Sequence, residues 1–85
     1  MPTLTYTIQD QAGIHARPAG ILVKLANGFQ SDITIAKGDK TGNLKKIFTV
    51  MSLNVKAGEQ ITVTVSGPDE TEAAAAIGQA LAENL

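Results

Sequence analysis

The sequence predicts an α+β fold in which a four-stranded antiparallel sheet carries three helices on one face, in the order βαββαβα. Three observations lead there. Leu4, Tyr6 and Ile8, and later Ile61, Val63 and Val65, alternate with threonines at period two, the mark of half-buried strands. Ala19, Leu22, Val23 and Ala26, and later Ala73, Ala76, Ile77, Ala80 and Leu81, recur instead at helical spacing. Two long amphipathic helices and a short one need a common apolar surface, and a sheet covered on one face supplies it.

The elements follow in order. After the first strand, Gln9 to Gly13 is a loop, with Gly13 allowing a tight turn. Pro18 fits only the first turn of a helix, so the first helix begins near Ala16. Ile21, Leu25 and Phe29 widen its apolar stripe, and Asn27-Gly28 closes it as a C-terminal cap pair. Ile33 and Ile35 flank Thr34 in the second strand, and the turn signal Gly38-Asp39-Lys40 leads into a short third one. Leu44, Ile47, Phe48 and Met51 space as a short helix. Gly58-Glu59 closes a loop before the fourth strand, and Gly67-Pro68-Asp69 ends that strand. Asp69 with Glu72 makes a variant capping box for the last helix.

Composition narrows the function. The 85 residues include seven Lys or Arg, eight Asp or Glu, one His and no Cys, for a net charge of −1. That length leads us to expect a single domain over 1–85, and its lack of cysteine excludes disulfides and thiolate metal sites. The balanced charge and three aromatics, Tyr6, Phe29 and Phe48, argue against a nucleic-acid binder. No apolar run approaches the ~20 residues of a membrane span and no signal peptide is evident, so a cytoplasmic location without membrane insertion is expected. One His and scattered carboxylates make a metal site improbable.

The chemistry that remains centres on Gly13-Ile14-His15-Ala16-Arg17-Pro18-Ala19. His15 falls at or beside the N-cap of the first helix, where backbone N–H groups lack internal partners and the helix dipole adds positive potential. Pro18 has no N–H, so the donors of this anion site are the amides of Ala16 and Arg17. The Arg17 guanidinium adds a permanent charge of phosphate-matching geometry. A neutral imidazole there can attack a phosphoryl group, and the product anion meets preformed positive potential. A lone histidine at a helix start is often only a cap or a surface residue, and a lone arginine a solvated charge; the combination is what points to phosphate. Asp10 and His15 with Ser31, Ser52 or Ser66 could be drawn as a hydrolytic triad, but no nucleophile elbow surrounds these serines. Ile47, Phe48 and Met51 are too many apolar groups for a short helix to bury along with Leu44, which suggests an exposed docking face unless the helix rolls to cover them. Lys45-Lys46 reads as a solvated face.

The segment Gly13–Ala19 resembles the active-site signature of the HPr family, the histidine-containing phosphocarriers of the bacterial phosphotransferase system. Asn43–Leu53 resembles that family's second signature, and the likeness spans essentially the whole chain. The resemblance implies an open-faced β-sandwich that carries a phosphoryl group on Nδ1 of His15, with Arg17 supporting the phosphohistidine. It implies enzyme I as donor, phosphoenolpyruvate as the ultimate source and the IIA domains of sugar permeases as acceptors. Gly20, Lys24, Ile47, Phe48 and Met51 match the surface that docks both partners. A monomer without cofactor is expected, a carrier rather than a self-contained enzyme. Two positions depart from the pattern. Lys46 stands where many Gram-positive relatives carry a regulatory serine, so no phosphosite is expected there; Ala12 stands where relatives often have a short polar residue. The sugar and nitrogen branches of the system share the motif. A regulatory module of the same fold, which binds proteins without carrying phosphate, is the alternative; relatives of that kind lack the active histidine.

Overall fold

A computed structural model describes residues 2–85 of the chain. The elements are β1 (Thr3–Thr7), α1 (Ala16–Asn27), β2 (Asp32–Lys37), β3 (Lys40–Asn43), α2 (Ile47–Ser52), β4 (Gln60–Ser66) and α3 (Glu70–Asn84). The strands form one antiparallel sheet in the order β1-β4-β2-β3. This is the predicted βαββαβα arrangement.

Register and side-chain alternation explain why only one face is covered. Leu4 lies opposite Val63, and Val65 opposite Ile33, so the apolar residues of neighbouring strands share a face. Ile33, Ile35, Ile61, Val63 and Val65 are buried there under the helices. The next residues along the strands point the other way, aligning Thr3, Thr64 and Thr34 across β1, β4 and β2 on the open face. α3 packs on β1 and β4, α1 against α3 and α2, and α2 against β3. The buried apolar side chains join in one cluster that includes Leu22, Leu44, Val50, Ile77 and Leu81. Among the described residues no helix is long and apolar enough to cross a membrane.

Several local expectations are corrected. Leu44 is buried, but it precedes α2 and is held by a bond from its amide to the Ile33 carbonyl (2.9 Å). The six-residue helix therefore buries Val50 and leaves Ile47, Phe48 and Met51 exposed, the exposed face that the sequence suggests rather than the rolled alternative. Ile21, placed in the apolar stripe of α1, is exposed, because Pro18, Ala19, Leu22 and Ala26 set the buried line. Ala76 is half-exposed, and Ala74 takes its place in the α3 stripe. Lys40 already belongs to β3, where it pairs with Lys37, so the turn is Gly38-Asp39.

The helix ends also differ from expectation. Gly28 closes α1 in a right-handed conformation (φ −77°), so no left-handed cap forms. The Asn27 side-chain amide instead donates to the carbonyls of Val23 (2.8 Å) and Lys45 (3.0 Å). Lys45 is not simply solvated: its ammonium donates to the Phe29 carbonyl at 2.8 Å, while Lys46 is exposed. The capping box on α3 does not form. Asp69 is the N-cap, but its carboxylate accepts from the amides of Gln30 and Ser31, each at 2.9 Å, and from the Ser31 hydroxyl. The carboxylate thereby satisfies the buried Ser31, and these bonds hold the Asp69 carboxyl below its ordinary value of 3.8, the Ser31 hydroxyl contributing most.

Candidate functional site

The site begins with the loop between β1 and α1, which is fixed from several sides. The amides of Gln9 and Asp10 donate to the Leu85 main-chain oxygen at 2.7 and 2.9 Å. The Gly13 amide closes a turn on the Asp10 carbonyl (2.9 Å), and the Ile14 amide reaches the Val55 carbonyl (3.0 Å). Gly13 is required here. Its φ is +68°, and a Cβ would stand 2.3 Å from the Val55 oxygen. Ile14 is buried and anchors the loop in the core.

That anchoring delivers His15 to the N-cap of α1 in extended conformation, as expected. The first bond across the helix start runs from the Ala19 amide to the His15 carbonyl (3.0 Å). The Ala16 and Arg17 amides precede it and have no acceptor within the helix. The ring makes no side-chain cap bond, and the His15 side chain is 42% exposed. It is neither turned inward nor sealed. Pro18 is buried at the third helical position.

A cleft of about 220 Å³ opens beside the ring, lined by Asp10, His15, Arg17, Pro18, Ile21, Glu83 and Asn84. Arg17 is exposed and has no ion-pair partner among the described residues, so its guanidinium is available to an anion in the cleft. Asp10 and Glu83 line the same cleft with negative charge and oppose a tight grip on a dianion. The site thus offers a nucleophilic nitrogen, two free amides and one guanidinium, tempered by two carboxylates. Such a set suits an anion such as a phosphoryl group, with attraction and repulsion both present.

The expected docking residues lie together on the α1–α2 side. Ile47 is 36% exposed, Phe48 87% and Met51 38%. A Cβ on Gly20 would lie 4.0 Å from Ile47 Cδ1, so the two helices meet at that glycine. Lys24 is exposed and borders an apolar groove of about 440 Å³ with Ile21, Leu25, Gly28 and Phe29. Ile21 lines both this groove and the His15 cleft, and joins the two. Sequence reasoning missed Ile21 here, as it missed Glu83 and Asn84. No local pattern marks the end of α3 as a wall of the cleft. The discarded triad is also discarded by geometry: neither Ser31, Ser52 nor Ser66 lines the cleft, and Ser52 donates to the Thr49 carbonyl (2.7 Å).

An open-faced sheet-and-helix sandwich with a half-exposed histidine at the N-cap position of its first helix is what comparison with known proteins has to place. Residues 2–83 match the family PTS-HPr, described as the PTS HPr component phosphorylation site. The phosphocarrier protein HPr of Mycoplasma capricolum is 43% identical over 81 residues, covering 95% of this chain and 91% of that protein. The solved structure of a mycoplasma histidine-containing phosphocarrier protein superposes with a TM-score of 0.94 at 41% identity, covering 96% of this chain and 93% of that one. Crh of Bacillus subtilis, a catabolite-repression protein described as a domain-swapped dimer, gives a TM-score of 0.78 at 35% identity, covering 94% and 92%. The chain belongs to the HPr family of phosphocarriers of the phosphotransferase system.

Proposed function

We propose that His15 carries the phosphoryl group on Nδ1, receives it from phosphorylated enzyme I and passes it to the IIA domains of sugar permeases in the cytoplasm. The observation that carries this reading is the half-exposed imidazole at the start of α1, beside an unpaired arginine in an open cleft.

The chemistry follows from the geometry. The Nδ1 lone pair attacks the phosphorus of the phosphorylated donor. A nitrogen–phosphorus bond forms as the bond to the donor breaks, and that bonding pair stays with the donor. The Arg17 guanidinium and the Ala16 and Arg17 amides then hold the three phosphoryl oxygens. In the second half the acceptor's nucleophile attacks the same phosphorus, and the nitrogen–phosphorus pair returns to His15.

The exposed Phe48, with Ile47, Met51, Gly20 and Lys24, is the surface that docks donor and acceptor in turn. Met and Phe suit two partners because they repack readily. Lys46 caps α2 without a hydroxyl, and no regulatory phosphate is assigned to it.

Incubation with phosphoenolpyruvate and enzyme I should place one acid-labile phosphate on each chain. His15→Ala should abolish that label. Arg17→Ala should slow transfer by about 10-fold or more with an unchanged circular dichroism spectrum, as expected for loss of one charged phosphate donor. Label retained by the His15→Ala protein would overturn the assignment.

A further inference from the structure

We propose that Asp10 is a positioning residue for the His15 ring, accepting the Nε2–H and so leaving Nδ1 as the bare, nucleophilic nitrogen. This rests on the reading of His15 as the phosphoryl acceptor.

Asp10 Oδ2 lies 3.9 Å from His15 Nε2, and the two side chains are 35% and 42% exposed. That separation is an ion-pair distance, about 1 Å longer than a hydrogen bond, and the proposal is that the pair closes to one. No other carboxylate of the described residues lies within ion-pair reach of His15. The charged groups around the ring are Arg17 on its own helix, Asp10 on the loop and Glu83 at the end of α3.

Asp10 is also held as a positioning group must be. Its amide donates to the Leu85 oxygen (2.9 Å), and its carbonyl accepts from Gly13 (2.9 Å). Its Oδ1 accepts from the Ala12 amide (2.9 Å), which commits that oxygen and leaves Oδ2 facing the ring. Position 12 offers only backbone here, so Asp10 is the polar side chain that the loop turns toward the imidazole.

A neutral imidazole has one N–H and one lone-pair nitrogen, and the partner of one nitrogen decides the state of the other. A carboxylate at Nε2 therefore selects the reactive tautomer. It acts again on the way out. When the nitrogen–phosphorus bond breaks toward the acceptor's nucleophile, the electron pair returns to Nδ1 of a ring that keeps its Nε2 proton. The leaving group is then neutral imidazole rather than imidazolate.

The test uses the unphosphorylated, histidine-15N-labelled protein and long-range proton–nitrogen correlation, which reads the tautomer directly. Asp10→Asn keeps an oxygen for the Ala12 amide and replaces the facing acceptor by a donor. The wild type should hold the neutral ring mainly as Nε2–H, and Asp10→Asn should raise the Nδ1–H share. Initial phosphorylation rate at saturating protein should fall by about 10-fold, the low end for loss of an orienting partner, at unchanged KM. Asp10→Glu should recover part of both effects. Equal tautomer populations in wild type and Asp10→Asn, or in Asp10→Asn and Asp10→Glu, would overturn the proposal. A wild type that takes up no phosphate would overturn the carrier reading of His15 instead.

Discussion

Phe48 and Val50 sit two positions apart on a helix of six residues, and their replacement by alanine should separate docking from stability. The Phe48 ring is 87% exposed, so truncating it removes little buried surface. With full burial of such a ring worth about 1.5–3 kcal/mol, its small covered part contributes under about 0.5 kcal/mol. Val50 is fully buried between α2 and the core. Losing two methyl-sized groups costs about 1.6 kcal/mol in transfer, and the residual cavity brings the total to about 2–3 kcal/mol. Against an unfolding free energy of roughly 4–13 kcal/mol for a chain of this size, that is a large fraction. In urea titrations, with a slope near 1 kcal/mol per molar, Val50→Ala should lower the midpoint by about 2–3 M and Phe48→Ala by under about 0.5 M. Transfer should respond in the opposite order. Loss of an aromatic anchor costs about 2 kcal/mol, or about 30-fold in the KM for the donor protein. A Phe48→Ala protein with wild-type KM, or one that unfolds as early as Val50→Ala, would refute the reasoning.

Two further substitutions probe the frame of the site. Gly13→Ala must hold a side chain at φ +68° and push its Cβ away from the Val55 oxygen 2.3 Å off, so stability should fall by at least about 2 kcal/mol and transfer should fall with it, both read on one purified variant. Asp69 is held below its ordinary value, first by the Ser31 hydroxyl and then by the Gln30 amide. Its ionised form is therefore the stabilising one; the contribution is complete above the unfolded value and is lost as pH falls through the lower folded value. Asp69→Asn should lower the thermal midpoint at about pH 7, and the gap to wild type should narrow below about pH 4. A gap that stays constant or widens with acid would contradict this.

What could be read from the sequence divides along physical lines. Strands β1 and β4 and helix α1 were legible because long period-two or period-3.6 runs report which face meets a core. The His15 site was legible because its parts lie within seven consecutive residues, and a glycine turn, a cap and a first-turn proline act locally. The face of α2 was only half legible: six residues make under two turns, and the burial of Leu44 outside the helix left Val50, not Phe48, to face inward. The partners of Asp69 were hidden, since Gln30 and Ser31 come from the α1–β2 connection and compete with the local capping box. The same holds for the Leu85 oxygen that fixes Asp10, and for Glu83 and Asn84 in the cleft wall. Contacts between distant segments leave no periodic trace.

Phosphorus NMR of the protein, recorded after exposure to phosphoenolpyruvate and enzyme I, reaches the central claim most directly. One resonance per chain is expected, with coupling to 15N that places it on Nδ1 of His15, disappearing on acidification. A signal from a hydroxyl phosphate, or from Nε2 of the same ring, would contradict the account.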